Sequence, residues 1–203
     1  MSRILHRFLT ERKHHTYRKD HSRTDHLAEE YCTLGLSPIE RMTRRFELLT
    51  SLETPVLLPD EQICMMRTVK KIPDCFTEAE WQEIRASHFI HELGYMSNLS
   101  PNYADTIRVG LLARYDQADE WGRRMIDAIL SLTDRYRAEA ERQGRLELAA
   151  VLTRVPRYGA TNFYEALQFF RILHYSLWLE GDYHNTVGRF DRYMYPYFAK
   201  DMA

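Results

Sequence analysis

The stretch FYEALQFFRILHYSLWLE, residues 163–180, is apolar on nearly every side. A helix of that character has no face to give to water, so other elements must enclose it. Asn162-Phe163-Tyr164-Glu165 starts it and Gly181 ends it. The rest of the chain must therefore supply the covering layers, or belong to something large enough to do so.

Most of the chain reads as helix. Ser37-Pro38-Ile39-Glu40 opens one: serine caps, proline takes the first turn, and glutamate can answer the cap's own N–H. Ile39, Met42, Phe46 and Leu49 then recur on one face to about residue 52. Thr77-Glu78-Ala79-Glu80 repeats the device, with Trp81, Ile84 and His88 on one stripe until Gly94. Ser100-Pro101 opens a third helix carrying Tyr103, Ile107 and Leu111 at four-residue spacing. Residues 119–142 form the longest one, with a seam of Trp121, Met125, Ile129, Leu132 and Tyr136, and Gly144 just past its end.

One segment departs from this pattern. In Pro55–Val69, PVLLPDEQICMMRTV, two short apolar runs flank a Pro59-Asp60-Glu61 turn, and the second is long enough for a buried strand. A lone strand cannot satisfy its own backbone groups. Either it pairs with strands outside this sequence, or the segment is irregular.

Composition narrows the function classes. Of the 203 residues 28% are charged, yet the formal net charge is -1, so no overall field recruits nucleic acid or an acidic membrane. Neither partner is expected. No apolar run approaches the roughly twenty residues that cross a bilayer. The opening MSRILHRFLTERKHH lacks the apolar core of a signal peptide. Cys32, Cys64 and Cys75 are odd in number and form no CxxC pair, which suits a reducing cytoplasm. A cytoplasmic protein is expected.

Residues 1–26 form a basic segment with seven Lys or Arg, three acids and five of the nine histidines. No aromatic platform is interleaved there, so a solvated or partly helical arm is the expectation. His88 and His91 lie three apart on a helix, which is half of a metal site, and no third ligand suggests itself. They read as packing or hydrogen-bonding histidines, as does His174 inside the apolar helix; no metal site is expected. Cys64 and Cys75 have no adjacent base and read as buried thiols.

Four stretches together carry a family likeness. NTVGRFDRYMYPYFAKD, residues 185–201, resembles the GRFDQYLYPYY-type segment of the glycyl radical enzymes, the pyruvate formate-lyase-like family. The helix opened by NFYEALQ resembles the F-W-E-A-L-Q helix that precedes that segment in the family. SNLSPNYADTIRVGL is similar to its H-x-x-P-N-Y-E-K-V-L-x-x-G-L element, and LLPDEQICMMRT stands where its D-E-L-I-V-G-N strand does, without the glycine-asparagine ending. The order along the chain is the family's, over residues 37–201.

The resemblance implies a mainly α fold: the N-terminal helical part of a glycyl radical enzyme's ten-stranded α/β barrel, with one or two short strands, over residues 27–203. In that family an activating enzyme with an iron–sulfur cluster and S-adenosylmethionine installs a glycyl radical. A cysteine inside the barrel relays it to a substrate, in lyase, dehydratase or formate acetyltransferase chemistry. None of the three cysteines falls in the family's cysteine motif, and the radical loop has no match here. No catalytic residue and no cofactor site are therefore expected in this chain, which implies inactivity alone. The implied partners are a C-terminal chain and the activating enzyme, with a homodimer also compatible.

A single position transfers to the substrate pocket. Five residues before the tyrosine of the Pro-Asn-Tyr motif, family members place a substrate-facing histidine or arginine; here it is Asn98. Asparagine can hydrogen-bond a hydroxyl or carboxylate but cannot act as acid, base or cation. That favours a lyase or dehydratase-like relative over an acyltransferase. The competing class is a self-contained helical interaction module without catalysis.

Overall fold

The computed structural model describes residues 6, 10–11, 13–59, 61–87, 100–181 and 185–203. After 3-10 turns at Lys13–Tyr17 and Ser22–Thr24, these residues build α1 (Leu27–Thr33), α2 (Pro38–Leu52), α3 (Glu78–Ser87), α4 (Tyr103–Val109) and α5 (Leu111–Tyr115). There follow α6 (Glu120–Arg142), α7 (Leu146–Arg154), α8 (Phe163–Leu179) and α9 (Phe190–Asp201).

The apolar helix α8 is the axis of the fold. It contacts α2, α4, α6, α7 and α9, and within it Trp178 is the exposed residue. Ile172, Tyr175 and Leu179 enter one core with Phe46 and Leu49 of α2 and Leu132 and Tyr136 of α6. Ala166 and Phe169 enter a second with Tyr103 and Ile107 of α4, Val155, and Met194 of α9. An element apolar all round thus serves two cores at once.

At α3, α6 and α8 the helix starts carry side-chain caps, and α4 is capped by Asn102 rather than opened at Ser100. Asp119 accepts from the Gly122 amide at 2.8 Å and Asn162 from that of Glu165 at 2.9 Å. Thr77 and Glu80 form a reciprocal box at 2.8 and 3.3 Å. At α2 the expected box does not form: Ser37 makes no capping hydrogen bond and Glu40 instead holds Arg44 at 2.8 Å. The seam of α2 also differs. Ile39 is exposed, whereas Arg45 is fully buried, its Nη2 donating to the Glu180 carbonyl and carboxylate, both at 2.8 Å. A long stem packs like a hydrocarbon once its head finds partners.

The third helix is broken where one run was expected. At Gly110 (φ +91) the chain turns from α4 into α5, and the loop 156–160 docks in the break. Leu111 and Leu112 donate to the carbonyls of Pro156 and Arg157 at 2.8 and 3.1 Å, and Ala160 donates to Ile107 at 2.9 Å. Helix α7 carried no start signal: Arg145 precedes it without a side-chain cap. Pro196 lies inside α9. The helix runs through it, missing the one hydrogen bond that proline cannot donate.

The strand expected in Pro55–Val69 is absent. Among the described residues no strand forms; an isolated parallel bridge joins Lys19 and Val69. The segment is extended but irregular, and side chains rather than a sheet meet its backbone. Gln168 of α8 both accepts from the Cys64 amide (2.9 Å) and donates to its carbonyl (3.2 Å). The Tyr136 hydroxyl of α6 does the same for Met66, at 3.0 and 3.1 Å. Glu53 accepts from the amides of Thr68 (2.6 Å) and Val69 (3.3 Å).

Candidate functional site

The same segment carries the most unusual backbone in the described residues. Met65 has φ +103 and is 1% exposed, a conformation that a residue with a side chain adopts only when its surroundings impose it. Arg171 of α8 holds it there, donating from Nε (3.0 Å) and Nη2 (2.5 Å) to the Met65 carbonyl. Between this turn and α8 lies a cavity of about 530 Å³. Ile63, Met65, Met66, Trp178 and Leu179 make it apolar, while Arg18, Arg67, Arg171 and Glu61 bring charge to it.

Burial pushes the Glu61 carboxyl above the ordinary carboxylate range, against a hydrogen bond from the Leu58 amide and the fields of Arg171 and Arg145. Burial, then the Glu53 charge, holds the Tyr175 phenol well above its usual value, so it stays neutral. Cys64, beside the cavity, is pushed up to about 12 by burial and then by Glu61. It is a thiol at neutral pH and no nucleophile. These groups can bind and orient a guest; nothing here supplies a reactive sulfur.

Cys64 and Cys75 are buried, as their reading from sequence suggests, and Cys32 is exposed. His174 is a packing histidine: its ring lies parallel to Phe170 (5.6 Å between centroids) and Nδ1 shares a 2.9 Å hydrogen bond with the Tyr103 hydroxyl. Burial, then Arg171, lowers its pKa. The stability this neutral ring contributes is complete above the unfolded value of about 6.5 and is lost as pH falls through the lowered folded value. Between pH 7.5 and 5 the melting midpoint of the wild type should fall further than that of His174→Gln. The corresponding difference in unfolding free energy should stay under about 1 kcal/mol, because the ring is only partly buried and screened.

Asn98, His88 and His91 lie outside the described residues. Among those described, no three His, Cys, Asp or Glu side chains are placed to share a metal ion, and no helix is long and apolar enough to cross a membrane. Arg171, which lines the cavity, and Gln168, which holds the Cys64 backbone beside it, carry no functional expectation from the sequence. A signal existed: Glu165, Gln168 and Arg171 are polar at three-residue spacing in a helix otherwise apolar. Such a stripe inside a core needs polar partners: Gln168 and Arg171 find backbone, while Glu165 meets the Thr161 amide and hydroxyl and Arg154.

The closing helix divides its aromatic residues. Phe190 packs edge-on to Phe170 (5.1 Å) and Tyr193 stacks on Tyr103 (6.4 Å), while Tyr195 is 65% and Phe198 44% exposed. Gly188 turns the chain at φ +59, and Arg189 pairs with Asp191 at 3.0 Å at the helix start.

A family model described as PFL-like, pyruvate formate lyase-like, matches residues 67–203. No curated protein matches the chain. Among solved structures, one concerned with 1,2-propanediol dehydration in Roseburia inulinivorans superposes with a TM-score of 0.71 at 20% identity, covering 100% of this chain and 35% of its own. The glycerol-bound B12-independent glycerol dehydratase of Clostridium butyricum gives 0.65 at 17%, over 88% of this chain and 34% of its own. A glycyl radical enzyme from Archaeoglobus fulgidus gives 0.66 at 15%, over 94% and 37%. At these identities the likeness is one of fold, and the chain spans about a third of each of those proteins.

Proposed function

The chain belongs to the pyruvate formate lyase-like family, and we propose that it is the amino-terminal helical portion of a glycyl radical enzyme of the lyase or dehydratase kind. The observation that carries this reading is the likeness of fold across the whole chain to about a third of a structure concerned with propanediol dehydration. In the proposal the helices around α8 form the outer wall of a ten-stranded barrel whose staves come from polypeptide beyond these 203 residues. The half-exposed aromatic face of α9 supports it, because Tyr195 and Phe198 are an apolar surface suited to continuation.

The radical glycine and the thiyl cysteine are proposed to lie in that further polypeptide, whether in the same chain or in a partner. The glycyl radical, installed by an activating enzyme with an iron–sulfur cluster and S-adenosylmethionine, would supply hydrogen-atom abstraction there. This chain's own share is to build and close the pocket. Asn98 is proposed to hydrogen-bond a substrate hydroxyl, since its amide both donates and accepts. A homodimer, a cytoplasmic setting and anaerobic metabolism belong to the same reading.

Electron paramagnetic resonance tests it. The 203-residue chain with the activating enzyme should give no glycyl signal. Adding a C-terminal polypeptide that carries the cysteine and glycine loops should make substrate turnover depend on both pieces. Turnover by that polypeptide alone, unchanged on adding this chain, would favour the self-contained helical module.

A further inference from the structure

We propose that the cavity walled by α2, α4, α5, α6 and α8 binds a short-chain monocarboxylate, its head anchored by the Arg114 guanidinium. The inference stands apart from the radical reading, since it asks for no residue beyond this chain.

The cavity measures about 370 Å³, within the range of small-molecule sites. Its walls are of two kinds. Phe46, Met125, Ile129, Leu173 and Leu177 bring hydrocarbon from α2, α6 and α8. Thr106 of α4 and Arg114 of α5 bring polar groups that the fold does not use. Arg114 is half-buried, and its guanidinium makes no hydrogen bond or ion pair among the described residues. The Thr106 hydroxyl likewise makes none there.

The acids around Arg114 are engaged elsewhere. Glu180, the carboxylate of the lining, is held by Arg45 at 2.8 Å. Asp105, which feels the Arg114 field, is held by Arg108 at 3.0 Å and by the Asn102 amide at 2.8 Å. One guanidinium is therefore left to balance one negative charge.

That balance and the apolar walls select the guest. A second negative charge would have no cation of its own and would meet the Glu180 carboxylate, which disfavours a phosphate dianion. A carboxylate fits the parallel N–H groups of a guanidinium, and a hydroxyl can add a further donor. The five apolar side chains reward a guest with a hydrocarbon body, which a bare hydrated ion lacks. A short aliphatic acid meets all three conditions.

Titration of the 203-residue chain with hexanoate, followed by calorimetry and by the methyl resonances of Met125, Ile129 and Leu173, tests the site. Saturable binding is expected, at least about tenfold tighter than for 1-hexanol, its neutral analogue, or for inorganic phosphate. Arg114→Gln should weaken hexanoate by about tenfold or more. Because Arg114 secures nothing in the fold, the melting midpoint of that variant should match the wild type. Thr106→Val, which keeps the shape and removes the donor, should weaken binding about threefold. Equal affinity for hexanoate and hexanol, phosphate binding as tight as hexanoate, no saturable binding, methyl shifts confined to residues outside the cavity, or wild-type affinity in Arg114→Gln would each overturn the proposal.

Discussion

Glu53→Ala should lower the unfolding free energy by about 3–5 kcal/mol, with the urea midpoint falling at an unchanged denaturant slope. Glu53 is 1% exposed and sits one residue past α2. Its carboxylate accepts from the Thr68 amide and hydroxyl, both at 2.6 Å, and from the Val69 amide at 3.3 Å. Thr68 and Val69 are buried as well, so the alanine variant strands their donors where water cannot reach. Each orphaned buried group costs about 1–3 kcal/mol, and relief of the buried charge itself offsets part of the sum. Glu53→Gln keeps one oxygen and the volume, and should cost about 1–2 kcal/mol. Hydrogen exchange locates the damage: protection at Thr68 and Val69 should go first. An alanine variant within about 1 kcal/mol of wild type would mean that this carboxylate does not secure the segment.

The second large effect is steric. A methyl group on Gly159 would lie 2.0 Å from the carbonyl oxygen of Arg108 and 2.8 Å from its carbon. Both are backbone atoms, so no rotamer change relieves the contact. The loop 156–160 would have to lift from the break between α4 and α5, stretching the Ala160–Ile107 hydrogen bond of 2.9 Å. Gly159→Ala should cost about 3–5 kcal/mol and lower the melting midpoint by roughly 10 °C. Gly144→Ala separates this cause from backbone strain. Gly144 has φ +70 but open space around it, so its alanine variant pays strain alone, about 1–2 kcal/mol. Similar losses at both positions would remove close approach as the explanation.

How far the sequence reaches can be judged residue by residue. Asp119, Thr77 and Asn162 announce their helices because a cap is a local bargain between neighbours three residues apart. Helix α7 has no such bargain at Arg145, and its nine residues are too short for periodicity to speak. The burial of Arg45 depends on Glu180, 135 positions away, which a one-face reading of α2 cannot see. The strand reading failed for the same reason. Residues 55–69 have a strand's composition, and what decides against one is a set of acceptors and donors on Glu53, Tyr136 and Gln168. In the closing helix Phe190 and Tyr193 serve α8 and α4 while Tyr195 is left exposed, a division its uniformly aromatic sequence does not announce.

The Met66 and Cys64 peptide groups find their partners 70 and 104 positions along the chain. A hairpin can zip from its turn, but this stretch has nothing nearby to copy. It stays without form until α6 and α8 have met and turned Tyr136 and Gln168 toward it. On refolding, amide protection at Cys64 and Met66 should therefore appear after that of α6 and α8, an order that pulsed hydrogen exchange would reveal.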